Sequence, residues 1–203
     1  MVENGLGRYP LILPPDKREG IDERMYYFLC VRPPKYVSDF INAIKSLSTG
    51  KPRFSLPPHS TLFPPFIIEG ASEKKFIKSL RGVFSEQNPF SITITLEQID
   101  AFDDNHVVFF KPNKLSTNRL RKIHFRFIDN LKDQVRTESI YIGKDYNPHM
   151  TINNKAPDEI LKITHEHISK LPLKFTFEIG SLYLYKALKE EEWRQAARIS
   201  LGR

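Results

Sequence analysis

Pro57-Pro58-His59-Ser60-Thr61-Leu62 has a counterpart much later in the chain, Asn147-Pro148-His149-Met150-Thr151-Ile152. On a strand, side chains at i and i+2 project from one face, so this spacing pairs His59 with Thr61 and His149 with Thr151. Each copy offers one titratable ring beside one hydroxyl. The proline before each histidine biases the residue ahead of it towards extended backbone, which supports reading both triplets as strand starts.

A three-residue pattern gains weight only if its surroundings repeat, and they do. After the first triplet comes a helix-like segment from Ser72 to Phe84, then an alternating run carried by Phe90, Ile92, Ile94, Leu96 and Ile99. The second triplet is followed by a helix-like segment from Pro157 to Leu171, then a run carried by Leu173, Phe175, Phe177, Ile179 and Leu182. Both runs have the same apolar offsets and break phase before the last member. This predicts an α+β fold of two pseudo-symmetric lobes, each an antiparallel sheet with flanking helices, around a central cleft that holds one triplet from each lobe.

Composition sets the limits. A chain of 203 residues, 40% hydrophobic, can bury one substantial core or two small lobes sharing a cleft. Its one cysteine, Cys30, lies inside the apolar run Met25 to Val31 and reads as a small buried hydrophobe in a reducing compartment. No apolar run of membrane-spanning length and no signal-peptide stretch is present, so no membrane partner and a cytoplasmic location are expected. The net charge of +7, from 31 basic and 24 acidic residues, favours an anionic partner without naming it.

Residues 1–24, rich in Gly, Pro and charge, read as an extended N-terminal arm, with the bilobal domain over 25–203. Met25 to Val31 reads as a central strand buried on both faces. Val37, Phe40, Ile41, Ile44 and Leu47 give the next segment a helical stripe, which Gly50 and Pro52 stop. Leu62 to Ile68 contains Pro64-Pro65, which supply no ladder hydrogens. It is expected to bend away as a loop, with Phe63 or Phe66 near the cleft. Those rings would either wall a nucleobase or simply pack, and packing is the preferred reading.

Asp103-Asp104-Asn105 reads as a turn into a hairpin strand that opens at His106. A long helix is predicted from Lys114 to about Val135, its buried stripe made by Leu120, Ile123, Phe127, Leu131 and Val135. Arg119, Lys122 and Arg126 lie on another face, read as solvated. Ser139 to Ile142 reads as a short strand and Gly143-Lys144-Asp145 as a turn, which leaves Tyr146 either to flank the pocket or to cap the lobe. Trp193 to Leu201 returns as an antiparallel neighbour of the strand at Leu182 to Tyr185.

His165-Glu166-His167 does not chelate one ion from a helix, because residues two apart point about 200° apart. CxxC, HExxH, GxxxxGK and GxGxxG patterns are absent, so zinc, ATP and dinucleotide chemistry lack their usual signatures. Neither a metal nor a cofactor is expected.

Paired H-x-[ST] triplets, about 90 residues apart here, resemble the 2H phosphoesterase superfamily, which contains the 2′-5′ RNA ligase-like proteins and the cyclic phosphodiesterases. The resemblance covers roughly Met25 to Leu201. Both triplets fit the family's PH-x-T-hydrophobic form, and the closing pattern Phe177-x-x-x-Ser181-Leu182-x-Leu184-Tyr185 is similar to its final strands. The proline-broken segment after Thr61 and the arm depart from it, and both bear on the mouth of the cleft.

The resemblance implies His59 and His149 as acid and base, with Thr61 and Thr151 holding phosphate. That division of labour also suits the chemistry: opening a 2′,3′-cyclic phosphate needs one group to take a proton and another to give one. Phe63, Phe66 and Tyr146 are the candidate substrate-binding residues. A nucleotide or RNA end is the expected substrate, hydrolysed or joined through a 2′-5′ bond, and the protein is expected to act as a monomer. The alternative is a non-catalytic RNA- or nucleotide-binding module of the same fold. A structural duplication would instead show both rings enclosed and facing apart.

Overall fold

The structure, a computed structural model, describes residues 24–49, 56–85, 92–102, 107–153, 157–188 and 192–201. The expected arm, the loop after Gly50, Phe90, and the turn at 103–105 with His106 lie outside the described residues, apart from Arg24 at the end of the arm and Leu56 to Pro58 at the end of the loop. Among the described residues no helix is long and apolar enough to cross a membrane.

The repeat seen in the sequence becomes an exchange of strands. Its first half runs β1 (Tyr26–Val31), α1 (Lys35–Thr49), β2 (Ser60–Ile68), α2 (Glu73–Ser85) and β3 (Ile92–Ala101). The second half begins with β4 (Val108–Pro112), α3 (Lys114–Leu131) and the short β5 (Val135–Arg136). It continues through β6 (Met150–Asn153), α4 (Asp158–Ile168), β7 (Phe175–Ile179) and β8 (Ser181–Ala187), and β9 (Arg194–Ser200) closes the fold. One antiparallel sheet has the order β5-β2-β1-β8-β9 and the other β6-β4-β3-β7. Each half thus sends its late strand across to the opening strand of the other: β3 pairs with β4, and β8 with β1.

The two matched apolar runs meet face to face. Ile92 opposes Ile179, Ile94 opposes Phe177 and Leu96 opposes Phe175, so the middle members sit opposite each other. The shared break in phase also has a cause in each copy. In β3 the ladder to β4 shifts register between Leu96 and Gln98. In the second copy Gly180 separates β7 from β8, where the chain passes from one sheet to the other.

β1 is the middle strand of its sheet and is buried on both faces, as its unbroken apolar run predicts. Tyr27, Leu29 and Val31 enter the main core, whereas Phe28 and Cys30 join a second cluster with Tyr185, Leu56, Tyr183 and Trp193. In α1, Val37, Ile41 and Ile44 are buried, but Leu47 is 88% exposed and does not belong to the stripe. Asn113 caps α3, its side chain accepting the Ser116 amide at 2.9 Å.

Three segments differ from expectation. Leu62 to Ile68 stays in the sheet, because Pro64 and Pro65 together oppose only Phe28, between the pairs Tyr27–Phe66 and Leu29–Phe63. This bulge places both prolines where no ladder amide is needed. β5 touches only Ile67 and Ile68 on the strand's other side, and the Thr137 hydroxyl donates to the Pro65 carbonyl at 2.7 Å. α3 ends at Leu131, after which Val135 pairs with Ile68 instead of extending the helix. Ser139 to Ile142 forms no strand, since side-chain hydroxyls take its amides: Ser139 donates to Thr137 at 3.1 Å and Tyr141 to Ser139 at 3.2 Å.

α2 is fastened to the sheet through Glu73. Its carboxylate accepts from the Tyr27 hydroxyl at 2.8 Å and from the Lys186 ammonium at 2.6 and 2.7 Å, and Tyr27 and Lys186 oppose each other on β1 and β8. Burial raises the Glu73 pKa, but the bonds from Lys186 and Tyr27 outweigh it and hold the group below the ordinary carboxylate value. A depressed carboxylate stabilises the fold above its unfolded pKa and loses that contribution as pH falls. Lys186→Ala should therefore lower the urea-unfolding free energy by roughly 1–3 kcal/mol at pH 7, with the difference shrinking below about pH 4. An unchanged difference at pH 3 would show that lost packing, and not the ion pair, is responsible.

Candidate active site

The two histidines stand at the same place in their strands. His59 immediately precedes β2 and His149 immediately precedes β6. Thr61 lies opposite Cys30 on β1, and Thr151 opposite Phe109 on β4. Both triplets keep part of their surface exposed.

Backbone geometry fixes both rings in the same way. The His59 Nδ1 lies 2.9 Å from the Pro57 carbonyl, and the His149 Nδ1 lies 2.9 Å from the Asn147 carbonyl. A carbonyl only accepts, so each Nδ1 carries the proton, and in the neutral ring Nε2 holds the lone pair. The proline between carbonyl and histidine in each copy keeps the turn in register. Phenylalanines support both rings: Phe28 lies 5.3 Å from His59, while Phe102 and Phe109 lie 5.1 and 5.2 Å from His149.

This apolar setting disfavours the imidazolium. Burial is the main cause that lowers the His59 pKa to about 4, against the opposing bond to Pro57 and with help from the charges of Lys45, His149 and Arg32. The His149 contribution shows that the two rings sense each other. Burial also lowers the His149 pKa, partly offset by its bond to Asn147. Two neutral rings in a locally basic setting suit an anionic ligand, which would favour protonation of one of them.

A third histidine, whose role the sequence reading missed, links the segments that carry the two triplets. His124 of α3 is fully buried, with Nδ1 2.7 Å from the Leu62 carbonyl and Nε2 accepting the Gly143 amide at 2.8 Å. It joins the strand that carries Thr61 to the loop that leads to His149. Gly143 makes the turn at φ +63°, in the left-handed region that favours glycine. The available signal was position 124, four after Leu120 and three before Phe127, which puts a polar ring within the buried stripe of α3.

Tyr146 belongs to this brace and does not flank a pocket. It is buried, stacks on His124 at 4.1 Å, and donates its hydroxyl to the Thr61 carbonyl at 2.8 Å. Arg121 fixes its backbone, donating to the Tyr146 carbonyl at 3.1 and 3.2 Å. Phe63 and Phe66 are likewise removed from the cleft. Both are buried in the main core, 5.6 Å from each other and packed on Phe127 at 4.3 and 5.6 Å. The bulge at Pro64-Pro65 explains why: β2 stays in the sheet and directs both rings inward. None of the three proposed substrate-binding residues offers a face to a base. Among the described residues no group of three or more His, Cys, Asp or Glu side chains could hold a metal ion.

Residues 33–191 match the family model described as the 2′-5′ RNA ligase superfamily. A protein of Bacillus cytotoxicus that carries the provisional name of phosphoesterase is 26% identical over 185 residues, covering 86% of this chain and 96% of that protein. Among solved structures, LigT of E. coli complexed with 3′-AMP superposes with a TM-score of 0.56 at 16% identity, over 88% of this chain and 98% of that one. TT0787 of Thermus thermophilus superposes with a TM-score of 0.53 at 15% identity, over 87% and 97%. These likenesses establish the fold.

Two outcomes follow from the histidines. His59, His124 and His149 all have lowered pKa values, so the unfolded chain binds more protons than the folded one below about pH 6.5. Stability is then full above that pH and declines as it falls towards 5, a window in which carboxylates contribute little; His59→Asn should flatten the decline by up to one proton in urea melts across pH. His124→Phe strands the Leu62 carbonyl and the Gly143 amide, and should cost about 1–3 kcal/mol for each group. Thermal melts that match wild type would remove His124 from the brace.

Proposed function

The chain belongs to the 2′-5′ RNA ligase superfamily, and from that membership we propose a phosphoesterase that opens cyclic or 2′,5′ phosphodiesters of nucleotides or RNA ends by two-histidine acid–base catalysis. Membership supports phosphoesterase activity and agrees with the resemblance to the 2H phosphoesterases. The observation that carries the finer reading is the repeated geometry of the triplets. Two histidines that lead into strands of different sheets are oriented by matching Nδ1 bonds, and each is followed two residues later by a threonine of that strand. The relative of similar fold complexed with 3′-AMP supports a nucleotide as ligand.

In the hydrolytic direction a water oxygen attacks the phosphorus of a 2′,3′-cyclic phosphate while a neutral Nε2 takes its proton. As the P–O bond to the ribose breaks, the other ring, protonated, gives its proton to the departing oxygen. Thr61 and Thr151 donate hydrogen bonds to the non-bridging oxygens where negative charge grows. Because the charges of Lys45 and Arg32 add to burial at His59, whereas burial alone lowers His149, we assign His59 as base and His149 as acid. After one turnover the roles have exchanged protons, and solvent resets them. With a 5′-hydroxyl in place of water, the same displacement breaks the P–O bond to the ribose 3′-oxygen and leaves a 2′-5′ phosphodiester. The scheme needs no metal to balance charge or protons.

The test is hydrolysis of nucleoside 2′,3′-cyclic phosphates in excess chelator. His59→Ala and His149→Ala should each lose about 10²–10⁴-fold in kcat with ligand affinity largely kept. The free enzyme must hold one proton between the two rings. kcat/KM should therefore be bell-shaped with its peak in the acidic range, because burial lowers both rings below the usual 6.5. Bound phosphate raises both values, so the kcat profile should lie at higher pH. Modest losses of binding alone, with no turnover in wild type, would make the protein a nucleotide-binding module.

A further inference from the structure

We propose that Arg32, Tyr183 and Arg198 form a second phosphate subsite beside the histidines, which makes the substrate an oligonucleotide end and not a mononucleotide. The inference rests on the proposed function for the position of the reacting phosphate, and otherwise on the arrangement of one sheet face. Thr61 of β2 opposes Cys30 of β1, Cys30 opposes Tyr183 of β8, and Tyr183 opposes Arg198 of β9. Directly opposed residues in antiparallel pairs share a face, so these four form one row leading away from the first triplet. Arg32 stands two residues beyond Cys30, with its charge felt at His59.

The two guanidinium groups bracket one ring. The Arg32 carbon lies 5.0 Å and the Arg198 carbon 5.9 Å from the Tyr183 ring centre. Arg198 is braced through Nε, which donates to the Ser181 hydroxyl at 2.9 Å, and Ser181 is itself buried. This leaves the terminal nitrogens of Arg198 for a ligand. Among the described residues no carboxylate within ion-pair distance answers either arginine. Two cations held beside one aromatic ring without a counter-ion repel each other, and a phosphate relieves that repulsion while accepting the paired donors of a guanidinium.

Spacing indicates which phosphate. Tyr183 lies two strand intervals from Thr61, about 10 Å at the usual interstrand distance, too far to serve the phosphate held by Thr61 and Thr151. A neighbouring phosphodiester of the same strand fits that offset. The half-buried Tyr183 ring would offer its nucleoside a surface, in place of the walls that Phe63 and Phe66 do not provide.

Trp193, the one tryptophan of the chain, supplies the readout, because it packs 4.7 Å from Phe28 in the cluster that includes Tyr183. The full chain is titrated, following its fluorescence, with a nucleoside 3′-monophosphate and with a dinucleotide ending in a 3′-phosphate, at several salt concentrations. The dinucleotide should bind at least about tenfold more tightly and lose affinity more steeply with salt, by about 0.7 in log–log slope for the additional contact. Arg198→Ala should abolish that advantage and the added slope while leaving the monophosphate unchanged, and Arg198→Lys should restore part of it. A dinucleotide advantage that survives Arg198→Ala, equal weakening of both ligands, or no advantage in wild type would overturn the subsite. Binding is read without turnover, so an inactive protein that still prefers the dinucleotide would sink the proposed reaction and keep the subsite.

Discussion

The imidazole of His124 joins the strand that carries the first triplet to the turn that leads into the second. One nitrogen donates to the Leu62 carbonyl and the other accepts the Gly143 amide, an arrangement possible only for the neutral ring in one tautomer. Protonation would turn the acceptor into a second donor facing an N–H group, which adds to the burial that already lowers its pKa. The brace thus depends on a histidine that must not ionise, set between the two that the proposed reaction would use as proton carriers. Tyr146, stacked on it and bonded to the Thr61 carbonyl, carries the constraint to the approach of His149.

Around that joint the architecture is a matter of symmetry. The exchange of β3 and β8 between halves makes each sheet a product of both repeats, so neither lobe folds around its own strands alone. The pairing of Ile94 with Phe177 places the pseudo-twofold relation in the ladder between the matched runs. Under such a relation equivalent loops approach each other, and each loop here ends in a proline, a histidine and a strand. The proposed chemistry would require two unlike proton carriers from two like environments. The unequal neighbours of the rings supply the difference: Lys45 and Arg32 act on His59 in addition to burial, whereas no such charge accompanies the lowering at His149.

Much of this was legible in the sequence because it rested on period and repetition. The apolar runs, the helical stripes and the paired triplets report faces, and faces follow from spacing alone. What could not be read was whatever depends on a partner strand. Pro64 and Pro65 argue against a strand until Phe28 stands opposite both and a bulge absorbs them, and the positions of Phe63 and Phe66 follow from that bulge. Ser139 to Ile142 has strand-forming residues, but the hydroxyls of Thr137 and Ser139 satisfy its amides first. Tyr146 stood three residues before His149 in either reading; only a third element, α3, decides that its ring turns inward. The arginines were visible as charges, and their convergence on Tyr183 needed the register of three strands.

The depressed histidines and the two arginines beside Tyr183 bear on one problem. In the proposed reaction, a site that keeps both rings neutral when empty would have little of its acid in place, and the charge of the ligand would restore it. A second phosphate at Arg32 would offset one of the charges that help to lower the His59 pKa, in addition to the effect of the reacting phosphate itself. An oligonucleotide would then be favoured in affinity, through the extra contact, while the base it meets would be a stronger one. Substrate length would bear on the basicity of His59 as well as on the fit to the cleft.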